Sequence, residues 1–255
     1  MNLPENRFKR ALVERRQQIG LWCTLSTAYA AEAVAGAGFD WLLLDTEHSP
    51  GDVISVLGQL QAVAPYPAAP VVRPATNDTV LIKRYLDIGA QTLLIPYVQS
   101  VEEAQAAVAA MRYPPGGVRG VSGTTRATRF GRVKDYARRV EEELCLIVQI
   151  ETGLALERLE AIAAVEGVDA VFIGPADLGA SLGYVAEPGN PAVAAAVEGA
   201  LRRLAAVGKP SGVLTGDAAF ARRCIELGTT FTAVGIDLSM LARGADALAR
   251  QFKEG

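Results

Sequence analysis

Residues 38–48 read GFDWLLLDTEH, and this stretch decides the fold class. Its centre, residues 41–45, is apolar up to the closing aspartate. A short run without polar alternation is typical of a strand buried on both faces, which is how strands of parallel sheets look in sequence. Gly38 ahead of the run is typical of the end of a helix. The stretch therefore predicts a helix end, a buried parallel strand and a polar turn at the strand's carboxyl end.

The same unit recurs along the chain. Seven further apolar runs alternate with longer stretches of helical spacing, and glycine closes three more of those stretches, at Gly89, Gly208 and Gly228. Eight such units predict an α/β protein, a (β/α)8 TIM barrel that forms one domain over residues 1–255 and carries an N-terminal helix. A doubly wound open sheet is the competing fold, but no GxGxxG motif follows the first strand, which disfavours its dinucleotide-binding form. The predicted strands are 20–25, 41–45, 70–74, 92–96, 144–151, 170–174, 211–214 and 231–235.

The composition bounds the classes of function. With 25 basic and 28 acidic residues, the chain lacks the basic footprint of proteins that bind nucleic acid or anionic membrane surfaces. No apolar stretch approaches the roughly 20 residues that cross a bilayer, and the charges spread through residues 1–16 exclude a secretory signal. Cys23, Cys145 and Cys224 lie far apart among apolar residues, as buried thiols do in a reducing compartment. We expect a soluble, cytoplasmic protein.

One irregular region, residues 113–132, separates the fourth helix from the fifth strand. It contains two adjacent prolines and four arginines. An insertion of this length in a compact domain is either a functional segment or a solvated surface loop, and the sequence leaves both open.

The active site of a TIM barrel lies at the carboxyl ends of the strands, so the polar residues there are the candidates. His48, the chain's only histidine, follows the second strand in an acidic cluster and is a candidate catalytic residue. Arg73 closes the third strand, and its planar fork matches a carboxylate or an enolate oxygen. The alternatives are structural: His48 as a hydrogen-bonding residue, and Arg73 as a partner for Asp45 or Glu47.

Two carboxylates, Glu151 and Asp177, close the fifth and sixth strands. Side by side they repel each other, and a hard divalent cation removes that repulsion. Two carboxylates with water and a chelating substrate suit Mg²⁺ or Mn²⁺, and Co²⁺ is also possible. The alternative is that both acids only cap the helices that follow them. None of the five lysines lies at the carboxyl end of a strand, so we expect a metal rather than a Schiff base as the electron sink.

Several motifs, in order, resemble the HpcH/HpaI class II aldolase family. The resemblance runs from about Gly20 to Phe252. It departs from the family pattern at residues 122–129 and 215–217, where the aldehyde half of a substrate would be sensed, so the acceptor is left open. The motifs are GFDWLLLDTEH (38–48), PVVRP (70–74), DIGAQTLLIP (87–96), RYPPGGVRGV (112–121), VQIET (148–152), GPADL (174–178) and AVGID (233–237).

The resemblance implies a metal-dependent pyruvate aldolase that reversibly cleaves 4-hydroxy-2-oxo acids into pyruvate and an aldehyde. It also implies a homohexamer, built as a dimer of trimers with the last helix exchanged between subunits. Related alternatives are a citramalyl- or malyl-CoA lyase and a non-catalytic protein that binds pyruvate or oxaloacetate. Carried over by position, the family's roles fall on His48 (general base), Arg73 (enolate), Asp87 (acid that raises the basicity of the histidine), Glu151 and Asp177 (metal), and Gln149, Ala176 and Asp177 (pyruvate).

The position of Asp87 conflicts with its implied role. The predicted elements place it at a helix-to-strand turn, on the opposite end of the barrel from His48. Either that register is wrong or the two residues meet across a contact between subunits. Asp45, three residues before His48, is the rival partner that the residues themselves suggest.

Overall fold

A closed barrel of eight parallel strands forms the centre of the computed structural model, which describes residues 1–187 and 189–253. Each strand pairs with the next in sequence, and the eighth pairs with the first. The predicted TIM barrel is confirmed, and the open sheet was the wrong alternative. The strands are Gln18–Cys23 (β1), Trp41–Asp45 (β2), Ala69–Arg73 (β3), Thr92–Ile95 (β4), Cys145–Ile150 (β5), Ala170–Ile173 (β6), Ser211–Leu214 (β7) and Phe231–Ile236 (β8).

Helices connect the strands around the outside. The glycines predicted to end helices, at positions 38, 89, 208 and 228, all have positive φ, between 70° and 99°. The helical segment between β5 and β6 is divided at Arg158. A 3₁₀ turn spans Val140–Glu142. The helices are Arg7–Val13 (α1), Ala28–Ala35 (α2), Val53–Val63 (α3), Thr79–Asp87 (α4), Val101–Met111 (α5), Tyr136–Arg139 (α6), Gly153–Glu157 (α7), Leu159–Ala163 (α8), Pro175–Ser181 (α9), Pro191–Ala206 (α10), Ala218–Glu226 (α11) and Asp237–Lys253 (α12).

Aromatic side chains fill the barrel and close its amino end. Phe8 of α1 packs edge-on against Trp41 and Phe231, with ring centroids 5.8 and 5.4 Å away, so the predicted N-terminal helix caps this end of the barrel. Gly20 and Gly212 make room for the two strand aromatics. A Cβ on either glycine would come within 2.2 Å of the neighbouring ring. Large aromatics in this interior therefore depend on small residues on the adjacent strands.

The irregular region lies at the amino end of the barrel, because it joins the end of α5 to the start of β5. Residues 112–135 of this connection contain neither helix nor strand. Cys23, Cys145 and Cys224 are buried free thiols, as predicted. Over the two described ranges, no helix combines the length and apolar character that crossing a membrane requires.

Candidate active site

A cavity of about 320 Å³ opens at the carboxyl end of the barrel. It brings together six of the predicted site residues, and only Asp87 lies elsewhere in the described chain. The lining residues are Trp22, Thr24, Asp45, His48, Arg73, Gln149, Glu151, Phe172, Gly174, Pro175, Ala176, Asp177, Leu214, Ile236, Leu238 and Ser239.

Arg73 and Asp45 form a buried, two-pronged ion pair at the base of this cavity. They are the last residues of β3 and β2 and stand opposite each other in the parallel register. Arg73 Nε donates to Asp45 Oδ1 and Arg73 Nη2 to Asp45 Oδ2, each at 2.8 Å. Glu47 Oε2 lies 2.6 Å from the remaining nitrogen, Nη1. Arg73 therefore has the carboxylate partners that the structural alternative named, and it faces the cavity as well.

The charges of this pair support each other. Burial disfavours the charge of Arg73, but the hydrogen bonds and charge of Asp45, with smaller effects of Glu47 and Glu151, raise its pKa above the ordinary value. Burial also opposes the charge of Asp45, and Arg73 outweighs it, so the pKa of Asp45 is lowered. Only 5% of the Arg73 side chain and 1% of the Asp45 side chain are exposed. The cavity thus contains a permanently charged guanidinium with a fixed orientation.

Glu151 follows β5 directly and is held at both oxygens. Gln149 Nε2 donates to Oε1 at 2.6 Å, and the backbone N–H of Tyr97 donates to Oε2 at 2.9 Å. Tyr97 has φ of 56°, an uncommon conformation for a non-glycine residue that aims its amide at the carboxylate. Gly174 leaves the space that Glu151 occupies, since a Cβ there would lie 2.7 Å from Glu151 Cγ and Oε1.

The electrostatics of Glu151 favour a cation beside it. Burial, followed by the nearby charges of Glu47 and Asp177, raises the pKa of Glu151 to about 7. Asp177 lies in the first turn of α9, as the helix-cap alternative predicted, and it also lines the cavity. Gln149 Oε1 is buried without a hydrogen-bond partner in the described chain. These oxygen donors fit a hard divalent cation.

Protein ligands alone do not complete such a site. Within residues 1–187 and 189–253, no group of three or more His, Cys, Asp or Glu side chains is arranged to hold a metal ion. A divalent cation in this cavity would therefore need water or substrate among its ligands.

His48 lies at the mouth of the cavity, in the turn after β2. Its side chain is 65% exposed, and its Nε2 lies 4.0 Å from Glu47 Oε2. Asp45, the rival partner suggested by the sequence, is engaged by Arg73 and by the indole N–H of Trp22. Glu47 is thus the carboxylate nearest to His48 in the described protomer, and no catalytic role for Glu47 was predicted from the sequence.

Asp87 is the last residue of α4 and lies at the amino end of the barrel. Its Oδ1 accepts a hydrogen bond from Arg119 Nη2 at 2.9 Å, and Arg119 is completely buried. The expected position of Asp87, opposite His48, is therefore what the structure shows. Within one protomer these two residues do not meet.

Apolar residues complete the cavity, and the sequence analysis missed them. Trp22 of β1 and Phe172 of β6 pack together with ring centroids 5.4 Å apart, and Leu214 and Ile236 end β7 and β8. The signal was present, because each lies at or near the end of a predicted strand. Only the polar side chains at those positions were candidates from sequence.

Comparisons with known proteins cover nearly the whole chain. The profile of the family described as HpcH/HpaI aldolase/citrate lyase matches residues 18–244, a range that includes every cavity residue. The pyruvate aldolase of Rhizobium etli is 68% identical over 252 residues, 99% of this chain and 99% of that protein. The 4-hydroxy-2-oxo-heptane-1,7-dioate aldolase of Salmonella arizonae is 55% identical over 249 residues, 97% of this chain and 95% of that protein. The crystal structure of a HpcH/HpaI aldolase/citrate lyase family protein from Burkholderia cenocepacia has a TM-score of 0.92 and 39% identity, covering 96% of this chain and 98% of that chain.

Proposed function

The chain belongs to the HpcH/HpaI aldolase/citrate lyase family, and on this basis we propose that it is a metal-dependent, class II pyruvate aldolase. Its reaction is the reversible cleavage of a 4-hydroxy-2-oxo acid into pyruvate and an aldehyde. The observation that carries the proposal is that one cavity brings together a fixed cation, two carboxylates and the only histidine, supplied by different strand ends.

Glu151 and Asp177 are the proposed ligands of a divalent cation, Mg²⁺, Mn²⁺ or Co²⁺. When bound, such a cation supplies Lewis acidity at the substrate carbonyl, where negative charge develops. Gln149 fixes one oxygen of Glu151 and, together with Ala176 and Asp177, lines the space for the pyruvate half. Burial, and then the charges of two neighbouring acids, raise the pKa of Glu151, and a cation stabilises its charged form, which supports this choice of ligands.

Arg73 stabilises the enolate oxygen that forms as the C3–C4 bond breaks. Because Asp45 already fixes the guanidinium, the charge is oriented before the substrate arrives and requires no reorganisation during the reaction. Trp22 and Phe172 keep the base of the cavity apolar, which strengthens the interaction of this cation with a developing negative charge.

His48 is the proposed general base for the C4 hydroxyl. It stands at the open mouth of the cavity, and it is the only imidazole in the chain. In the cleavage direction His48 accepts the hydroxyl proton as the C3–C4 electron pair moves into the enolate. In the condensation direction it returns that proton to the new alkoxide.

We further propose a homohexamer, with Asp87 of one copy serving His48 of another. The last helix supports association, since several of its apolar side chains are exposed in the protomer. Those side chains are Leu238, Met240, Leu241, Leu248 and Phe252. Three buried, unpaired thiols agree with the reducing cytoplasm as its compartment.

Deuterium uptake into pyruvate from D₂O tests the proposed chemistry, because exchange at C3 requires enolate formation. We expect metal-dependent exchange by the native protein, together with release of pyruvate from a 4-hydroxy-2-oxo acid. A protein that only binds pyruvate gives metal-dependent affinity without exchange. Cleavage of citramalyl-CoA into acetyl-CoA and pyruvate, with no cleavage of a free 4-hydroxy-2-oxo acid, would favour a CoA-thioester lyase.

A further inference from the structure

We propose that Trp22 is a positioning residue that holds the guanidinium of Arg73 in its reactive orientation. The inference rests on the proposed function, since it assigns to Trp22 an effect exerted through Arg73. Two contacts from the one indole carry it. The ring lies beneath the guanidinium, with Arg73 Cζ 4.9 Å from its centroid, and the indole N–H points at Asp45 Oδ2 at 3.4 Å.

These two contacts act on different partners of the same ion pair. The ring face stabilises the cation and limits rotation of the guanidinium out of its plane. The indole N–H donates to Asp45 Oδ2, the same oxygen that accepts a hydrogen bond from Arg73 Nη2. Asp45 and Glu47 contact the guanidinium at its nitrogens, and the indole contacts its face. Trp22 therefore restrains tilting of the guanidinium out of its plane, a motion that the contacts at the nitrogens leave free.

The backbone aims Trp22 at this position. The pairing of β1 with β8 shifts register between Gly20, opposite Ala233, and Trp22, opposite Ile236. The extra residue of this shift lies on β8, whereas β1 keeps a regular register with β2 from Gly20 to Cys23. Because side chains alternate along a strand, Trp22 faces the same side as Gly20, which is the barrel interior that Trp41 also fills.

Aromatic packing then keeps the indole in place. Phe172 contacts it from β6, with centroids 5.4 Å apart, and Trp41 contacts it edge-on at 6.5 Å. Trp22 is 3% exposed, so its two polar contacts are formed away from water. A rigid side chain with both contacts is suited to fixing a charge rather than to moving with the substrate.

The variants Trp22→Phe and Trp22→Leu separate the two contacts. The phenyl ring retains a face for the guanidinium but lacks the N–H, so we expect deuterium uptake into pyruvate to fall about fivefold, the scale of one hydrogen bond. Leucine removes both contacts, and we expect a loss of about 100-fold, the scale of misplacing a reacting group. In both variants the dissociation constant for pyruvate should stay within about threefold, because the effect lies in the transition state.

A double-mutant cycle with Arg73→Lys decides whether Trp22 acts through Arg73. Lysine has no planar fork to orient, so Trp22→Leu should lower the exchange rate by no more than about twofold in that background. Phe8→Leu is the matched control: it also removes an aromatic ring from the barrel interior, but Phe8 does not line the cavity and its aromatic partners are Trp41 and Phe231 rather than Trp22. That change should lower the melting temperature and leave the exchange rate within about twofold.

Three other results would contradict the role of Trp22, of Arg73 or of the protein as a whole. A loss that persists in full in the Arg73→Lys background, or a large rise in the pyruvate dissociation constant, would show that Trp22 binds substrate directly and would overturn the inference. A fall in melting temperature with normal exchange would reduce Trp22 to a packing residue and also overturn it. If the native protein showed no exchange, or if Arg73→Lys exchanged normally, the proposed function or the proposed role of Arg73 would fail first.

Discussion

Asp45 and Arg73 are counter-ions at the ends of adjacent strands, and two hydrogen bonds of 2.8 Å join the guanidinium to the carboxylate. The ion pair is buried, and breaking such a pair by removing one partner typically costs about 3–5 kcal/mol. The same arginine faces a cavity that contains Glu151 and Asp177. Its structural and catalytic roles therefore coexist in one side chain, and substitution has to separate them.

Arg73→Lys should lower the rate of deuterium uptake into pyruvate by more than it weakens pyruvate binding. Lysine keeps the charge but cannot contact Asp45 and an enolate oxygen in one plane, so the loss appears mainly in the transition state. The measurements are the exchange rate and the pyruvate dissociation constant, made on the same metal-loaded samples.

Near-normal exchange by the Arg73→Lys variant, together with a lower melting temperature, would contradict this prediction. Arg73 would then serve only to hold the strand ends together. Arg84→Lys provides a control for the exchange of arginine for lysine, because Arg84 lies near the end of α4 and does not line the cavity.

The barrel itself was open to prediction from the sequence, because strands buried on both faces leave unbroken apolar runs. The prediction for β2, 41–45, matches Trp41–Asp45. Errors occur where a polar residue belongs to a strand. β1 begins at Gln18 rather than at residue 20. The backbone N–H of Gln18 donates a hydrogen bond to the carbonyl oxygen of Thr230 at 2.9 Å, and the Gln18 side chain is buried. Hydrophobic patterning carries no signal for such a residue.

Polar residues at strand ends gave most of the candidate site, since parallel strands bring their carboxyl ends to one edge. Trp22 was missed for a physical reason. Its apolar run indicates burial, but its contact with Arg73 depends on the pairing of β1, β2 and β3, which are distant segments of the chain. The contact of Glu47 with Arg73 likewise depends on how the turn after β2 folds back over β3. Local sequence patterns do not contain that information.

His48→Ala should lower the rate of cleavage of a 4-hydroxy-2-oxo acid by about 10²–10⁴, the range for loss of a general base. Thermal stability should change little, because the side chain is 65% exposed and its nearest carboxylate partner is 4.0 Å away. Steady-state kinetics and a melting curve on the same preparation test both parts. A structural histidine would give the reverse pattern, a clear drop in melting temperature with near-normal turnover.

Removal of the metal should abolish activity and leave the barrel folded. The proposed ligands are two carboxylates with no histidine or cysteine, so a chelator such as EDTA should strip the cation readily. Circular dichroism should be unchanged, and Mg²⁺, Mn²⁺ or Co²⁺ should restore the cleavage rate. Full activity in protein shown to be metal-free would contradict the class II mechanism.

Glu151 makes the metal-free protein sensitive to pH in a defined direction. Its pKa rises from an ordinary 4.5 to about 7 in the folded chain because of burial and the nearby charges of Glu47 and Asp177. Between these two values the folded state binds more protons than the unfolded state. The stabilising contribution of this group is therefore fully present below pH 4.5 and is lost as the pH rises through 7.

Binding of a divalent cation should for the same reason release protons in the neutral range. At pH 6 the cation displaces nearly one proton from Glu151, and at pH 8 it displaces almost none, so affinity should rise by up to about tenfold per pH unit below 7 and level off above it. Titration calorimetry in two buffers of different ionisation enthalpy measures the number of protons. The isosteric Glu151→Gln variant should bind the cation weakly at every pH. Its metal-free melting temperature should also lack the decline that the native protein shows between pH 5 and 8. Equal proton release at pH 6 and pH 8, or parallel melting curves for the two proteins, would show that Glu151 does not carry this titration.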